Sequence, residues 1–331
     1  RRVLFRSWET TSQFNVGVDL SLFNNRLRMT ADYYRKKTTD LLNNVEMPRS
    51  SGYTTALRNI GSIRNSGFEL QLDGRIIDRA VKWDLGVNFS LNRSKVLVLS
   101  EDKDIFGGEL DNTILKDQLN LMRVGEPMYV FYGYVEDGYD ENGHIVYKNM
   151  DDDPAITAAD KTIIGDPNPD FLVNLTTAVS YKGFTLSAFF QSSIGNDIYS
   201  LSMAAQAYDY GYNGNTLREV YYNHWTPENP TAKYPNLDQT SYKMSDRFVY
   251  DGSFVRLKNL ELAYDVPCAR SKFIKRARAY VSAQNLFTIT SYPFWDPDIN
   301  ANGGGSSMIQ GVDSYCYPSA RTYTIGCRLT F

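Results

Sequence analysis

Histidine and cysteine are scarce in this 331-residue chain: two histidines, His144 and His224, and three cysteines, Cys268, Cys316 and Cys327. Two histidines exclude a multi-histidine metal centre. Three cysteines without C-x-x-C spacing offer neither a disulfide framework nor a zinc site, and leave the redox compartment open. No apolar run approaches the ~18 residues of a membrane-spanning helix, so a helical membrane protein is excluded. Charge of one sign is also missing, with 35 Lys and Arg against 38 Asp and Glu. No basic field exists for nucleic acid, which is excluded as a partner. Enzyme signatures are absent too: no G-x-S-x-G, H-E-x-x-H, P-loop or G-x-G-x-x-G after a strand.

Aromatic residues, by contrast, are plentiful. They make up 14% of the chain, with 24 Tyr against 4 Trp, too many for a disordered polymer. The length excludes a small single-core domain and leaves two domains or one large all-β or barrel unit.

Period-two alternation decides between these. Phe14, Val16, Val18, Leu20 and Leu22 share one face, with Asn15, Gly17, Asp19 and Ser21 on the other. Leu27, Met29, Ala31 and Tyr33 repeat the pattern, as do Phe68, Leu70 and Leu72, then Trp83, Leu85, Val87, Phe89 and Leu91. Further series start at Phe171, Phe184 and Tyr323. In one strand Val255 and Leu257 fall out of step with Leu260, Leu262 and Tyr264, which predicts a β-bulge near Lys258 and Asn259.

Strands are expected at 14–22, 26–38, 61–77, 81–96, 170–181, 184–198, 249–266, 276–290 and 320–331. The gaps alternate between short (23–25, 78–80, 182–183, 267–275) and long (39–60, 97–169, 199–248, 291–319). A soluble sandwich has no reason to sort its loops by parity, and its strands average about 5 to 6 residues. An antiparallel transmembrane β-barrel predicts both the asymmetry and the longer strands. The fold class read from the residues is therefore all-β, an antiparallel transmembrane barrel whose apolar faces meet outer-membrane lipid. Residues 1–13, which contain Arg2 to Ser7 with no matching pattern, read as a non-native or truncated start. Residues 14–331 read as one barrel segment with long extracellular loops. Phe331 ends an alternating strand, as expected where the last strand closes a larger barrel.

Several blocks then carry a family resemblance. They are Gly61-Ser62-Ile63-Arg64-Asn65-Ser66-Gly67-Phe68-Glu69-Leu70, Asn223-His224-Trp225-Thr226-Pro227-Glu228-Asn229-Pro230, Gly252-Ser253-Phe254-Val255-Arg256-Leu257-Lys258-Asn259-Leu260, Gln284-Asn285-Leu286-Phe287, and Tyr317-Pro318 through Arg321-Thr322-Tyr323 to Phe331. In this order they resemble the C-terminal part of the SusC/RagA family of TonB-dependent outer-membrane transporters. The resemblance implies a plugged barrel of roughly 22 strands in the bacterial outer membrane, importing oligosaccharides or peptides. It also implies a SusD-like surface lipoprotein as cap and the TonB complex as energy source, reached through an N-terminal part with plug and TonB box that this sequence lacks.

The stretch from Asn149 to Asp160 places oxygen-bearing side chains at positions 1, 3, 5, 9 and 12 of a twelve-residue loop, with Ile156 at position 8, as in an EF-hand. It precedes Gly165-Asp166-Pro167-Asn168-Pro169-Asp170, a turn that the resembled family shares. Pro154 stands where the EF-hand needs glycine, and Asp160 is shorter than the usual glutamate. Calcium held by Asn149, Asp151, Asp153, Thr157 and Asp160 and a merely solvated acidic loop are both open at this stage.

Sugar recognition stacks rings on exposed aromatics and bonds hydroxyls with amides and carboxylates. The candidate substrate-binding residues are Tyr208, Tyr210, Tyr212 and Trp225 in the 199–248 loop, and Phe294, Trp295 and Asp296 in the last loop. Aromatic girdles and loop cores would use the same residue types. Asp296 and Asp298 form a carboxylate pair of the kind a glycosidase uses, but no apolar pocket is legible around them, and no catalytic residue is assigned. The functional expectation is a segment of a nutrient importer. The alternatives are an outer-membrane binding protein or adhesin without active transport and, further off, a secreted glycan-binding protein.

Overall fold

The computed structural model describes residues 8–46, 52, 55–99, 103–111, 115–208, 215–268, 273–299 and 309–331. Its frame is one sheet of nine strands, each antiparallel to the next in chain order. The strands are β1 (Thr10–Leu22), β2 (Leu27–Glu46), β3 (Thr55–Asp78), β4 (Val81–Leu99), β5 (Phe171–Tyr181), β6 (Phe184–Ile194), β7 (Phe254–Val266), β8 (Arg276–Thr290) and β9 (Thr322–Thr330). β1 and β9 each pair on one side only, so the strands form an open arc of barrel wall.

Register keeps the two faces separate. Val16 lies opposite Tyr33, Tyr33 opposite Phe68, and Phe68 opposite Leu91, so apolar residues continue across strands on one face. On that face Phe14, Val16, Val18 and Leu20 are exposed, with no protein layer over them. The opposite face carries Asn15, Tyr34, Gly67 and Asn92 at the same level. β5 joins β6 through Lys182 and Gly183, both at positive φ (47° and 87°), the conformation of a two-residue hairpin.

Two expectations are corrected. The loop expected at 39–60 is mostly strand, since β2 runs on to Glu46 and β3 begins at Thr55, leaving 47–54 as the connection. Register shifts beside Leu41, with Asp40 at φ 57° and Gly61 at φ 151°, turn the side chains over and break the alternation while pairing continues. With 24 residues, β3 has more than twice the length a tilted strand needs to cross a bilayer, about 9 to 11 residues, so its outer half stands above the membrane. The second correction is that β6 ends at Ile194 and β7 starts at Phe254. Between them Asp197–Ser200 and Val249–Asp251 pair with each other, and the former also with Val312–Asp313, in a separate small sheet. The bulge expected near Lys258 is present: Phe189 faces Asn259 while Phe190 faces Leu257, leaving Lys258 without a β6 partner.

The larger hydrophobic core lies in the outer loops, and a smaller one joins Ile63 of β3 and Val96 and Leu99 of β4 to Met122 of the loop beyond them. Phe131, Tyr199, Phe248, Met244 and Val312 are buried together with residues of helix α1 (Leu201–Tyr208). The described residues of loop segments 103–165, 195–253 and 309–313 thus form a packed cap over the outer end of the wall.

Candidate binding surfaces in the outer loops and lumen wall

Within the cap, Tyr208 stacks on Tyr242 with ring centroids 3.7 Å apart and meets Phe248 edge-on at 5.1 Å. It is 4% exposed, and its burial pushes the phenol well up from its ordinary pKa. The expectation of an exposed sugar-stacking ring at this position is therefore not met: Tyr208 packs the loop core. Trp225 is half-buried and lies over Gly143, where a Cβ would come 2.2 Å from the indole; Gly143 also has φ 79°. Tyr210 and Tyr212 lie outside the described residues. Tyr221 and Tyr222, further aromatics of the same loop, are exposed on helix α2 (Arg218–Tyr222), with the Arg218 guanidinium 5.5 Å from the Tyr222 ring centre.

In the last loop Phe294 and Trp295 stack at 4.7 Å. Trp295 is exposed, whereas Phe294 leans on the loop core. Asp296 is 7% exposed, which corrects its reading as a free hydroxyl acceptor. It pairs with Arg256 of β7 and accepts from the backbone N–H groups of Ser319 and Asp298, each at 2.9 Å. Burial alone would raise the Asp296 carboxyl, but these N–H donors and the guanidinium hold it below the usual range. Arg256 also donates to Thr288 at 2.9 Å, Ser319 at 3.2 Å and Asp298 at 3.3 Å. A buried guanidinium making four such hydrogen bonds is a fastener between wall and loop. Its sequence signal was present: an arginine in a barrel strand, on the face opposite Val255 and Leu257.

A second, partly buried pair fastens two loop segments. Arg247 meets Glu136, which also accepts from Ser245 at 2.6 Å, while Arg247 donates to the Tyr139 hydroxyl at 3.1 Å.

The acidic loop is built from successive side-chain turns. Asn149 Oδ1 accepts from the N–H of Asp151 at 3.1 Å, Asp151 Oδ1 from Asp153 at 2.8 Å, and Asp153 Oδ1 from Ala155 at 3.0 Å. Asp160 closes the loop, accepting from the N–H groups of Met150 at 2.7 Å and Thr157 at 2.8 Å, and Thr157 caps the short helix Ala158–Asp160. The Met150 and Thr157 donors hold the Asp160 carboxyl below its ordinary pKa. An all-oxygen donor set suits a hard cation, and among the described residues Oδ2 of Asp151 and Oδ2 of Asp153 take no hydrogen bond. Asp160, however, is engaged with backbone, and no group of three or more His, Cys, Asp or Glu side chains converges among the described residues.

On the inner face the wall carries polar side chains in register, among them Gln71, Asn88, Asn174 and Gln191 on β3 to β6. This row was not legible from any one strand.

Comparison with known proteins matches residues 5–286 to the family described as TonB dependent receptor-like, beta-barrel. TonB-dependent receptor P3 of Formosa agariphila is 34% identical, over 98% of this chain and 34% of its own length. TonB-dependent receptor SusC of Bacteroides thetaiotaomicron is 29% identical, over 98% of this chain and 32% of its own. A solved structure of the RagAB peptide transporter superposes with TM-score 0.82 at 28% identity, covering 98% of this chain and 35% of that one. The chain thus spans about a third of the length of the relatives it matches.

Proposed function

The chain belongs to the TonB-dependent receptor-like β-barrel family, as a SusC- and RagA-like outer-membrane protein, and from that premise we propose that it forms wall and outer loops of an importer of oligosaccharides. The carrying observation is the sorting of faces: a continuous apolar face left uncovered for lipid, a polar face turned to a lumen, and one loop end folded into a cap. Energy would come from the TonB complex through the part of the receptor that this chain does not span. A SusD-like lipoprotein would sit on the cap, where the exposed Tyr221, Tyr222 and Trp295 offer aromatic surface to partner or substrate. The relatives are named as receptors and transporters, consistent with a non-catalytic role.

Peptide import is the second reading, favoured by the likeness to a structure titled as a peptide transporter. Deleting the full-length gene and growing cells on single glycans, then on single peptide pools, separates the two. Loss of growth on one glycan supports oligosaccharide import. Loss confined to peptides transfers the reading to the second class, and unchanged growth on every source leaves an adhesin or binding protein.

For the 149–160 loop, we propose a calcium ion held by Asn149, Asp151, Asp153, Thr157 and Asp160. The free Oδ2 atoms of Asp151 and Asp153 support this reading, and the ion would stiffen the loop.

A further inference from the structure

The apolar face of β1 to β4 carries charge at its outer end only. On β2, Leu27, Met29, Ala31 and Tyr33 are followed on the same face by Arg35 and Lys37. On β4, Leu91 is followed by Arg93 and Lys95, and on β3, Arg64 and Ser66 precede Phe68. Register brings these cations side by side. Lys37 faces Arg64 and Arg64 faces Lys95, while Arg35 faces Ser66 and Ser66 faces Arg93. Five basic residues thus meet on three strands, with no carboxylate among them.

Like charges directly opposite each other on neighbouring strands, about 4.8 Å apart, destabilise a sheet. Arg93 is relieved: its guanidinium pairs with Asp170 at 2.6 Å and donates to the carbonyls of Pro169 and Asp170, each at 3.1 Å. Among the described residues, no side-chain ion pair or hydrogen bond relieves Arg35, Lys37, Arg64 or Lys95. Of the next acids along β1 and β2, Glu9 accepts from the N–H of Leu42 at 2.8 Å, and Asp40 lies beyond the register shift that follows Thr38. Arg35, Lys37 and Lys95 are exposed, with Arg64 half-buried between them. A row of three cations held in register without a counter-charge needs an anion from outside the chain.

Position identifies that anion. β2 leaves the short-turn end at Leu27, and Lys37 follows ten residues later, where a tilted strand of about 9 to 11 residues has crossed the hydrocarbon. The cations therefore stand at the headgroup level of the outer leaflet, on the face that meets lipid and continuous with the apolar residues below them. We propose that Lys37, Arg64 and Lys95, with Arg35 one step nearer the midplane, bind the phosphates of an anionic lipid of the outer leaflet. Phosphate oxygens accept charge-assisted hydrogen bonds from the guanidinium fork and from ammonium groups, and one phosphate cancels the repulsion among three side chains. The contact fixes the height of the wall in the leaflet and is independent of what the receptor imports.

The test uses the full-length receptor, purified in a neutral detergent and mixed with bis-phosphorylated lipid A or with its dephosphorylated form, the bound lipid being counted by native mass spectrometry. Expected is preferential retention of the phosphorylated form. Lys37→Gln and Lys95→Gln should each weaken it about fivefold, the worth of one basic residue at an anionic surface, and the combined Lys37→Gln, Arg64→Gln and Lys95→Gln variant more. Lys182→Gln, in the turn at the other end of the wall, should bind as wild type does. The single variants decide the matter if the combined one fails to assemble. Equal retention of the two lipids by the wild type, or unchanged binding in both single variants, overturns the proposal. Displacement by inorganic phosphate at the same phosphate concentration makes this a site for a free anion and overturns it too. Capture of a second receptor copy at Lys37→Cys by a short bis-maleimide in outer membranes, with the native cysteines replaced, means that protein covers the patch, with the same consequence.

Discussion

Arg256 on the barrel wall and Asp296 in the last outer loop, forty residues apart in sequence, form an ion pair buried from solvent at both ends. Wall and loop are thereby joined at one point near the lumen mouth. Removing one partner leaves an uncompensated buried charge, which costs about 3 to 5 kcal/mol, whereas removing both leaves none. Arg256→Leu should therefore release the 291–321 segment, read as faster limited proteolysis there at unchanged membrane insertion. Arg256→Leu combined with Asp296→Leu should recover part of the protection. Equal cleavage in wild type and Arg256→Leu would show that the pair does not hold the loop.

The same pair sets a pH dependence. The Asp296 carboxyl is held below its ordinary value in the folded loop, so its contribution is fully present above the unfolded carboxylate pKa of about 3.9 and is lost as pH falls through the lower folded value. Protection of the 291–321 segment should be flat from pH 7 to about 5 and decline only below about 4. Asp296→Asn should remove that decline. A loss of protection centred near pH 6 would point to some other group.

Neighbouring residues on one strand should differ sharply in their tolerance of charge. Leu175 faces lipid, level with Val87 and Phe190, while Thr176 faces the lumen, level with Gly86 and Phe189. Leu175→Arg should cost about 2 to 4 kcal/mol near the bilayer midplane, and Thr176→Arg little. The measurement is the yield of heat-modifiable folded receptor in outer membranes. Equal yields would overturn the assignment of faces.

Gly61 admits no side chain. Its φ is 151°, and a Cβ there would come 2.0 Å from the carbonyl oxygen of Val98 on β4. Gly61→Val should separate β3 from β4 above the membrane, with a loss beyond about 3 kcal/mol. Faster hydrogen exchange confined to the outer halves of β3 and β4 is the expected readout, and unchanged exchange would count against it.

Calcium should protect the 149–160 loop. In the full-length receptor, millimolar calcium is expected to slow cleavage between Asn149 and Asp160 severalfold, and chelation to restore it. The combined Asp151→Asn and Asp153→Asn variant should cleave at one rate with or without calcium. No effect of calcium on the wild type would show that the loop is closed by its side-chain turns and the Asp160 contacts alone.

Sequence alone determined the existence of the nine strands, their two faces and the bulge at Lys258, because each is written in the period-two pattern of neighbouring residues. The extent of β2 and β3 was hidden because bulges beside Asp40 and Gly61 invert that pattern without ending the pairing. Tertiary structure alone decided that Tyr208 meets Tyr242 and Asp296 meets Arg256, which took both from candidate ligand contacts into packed and ion-paired interiors. It also aligned Asn88, Asn174 and Gln191. Alternation is local and survives any sliding of strands by two residues, whereas a row across three strands depends on every register between them, and those are set by turns, bulges and loop packing far apart in the chain.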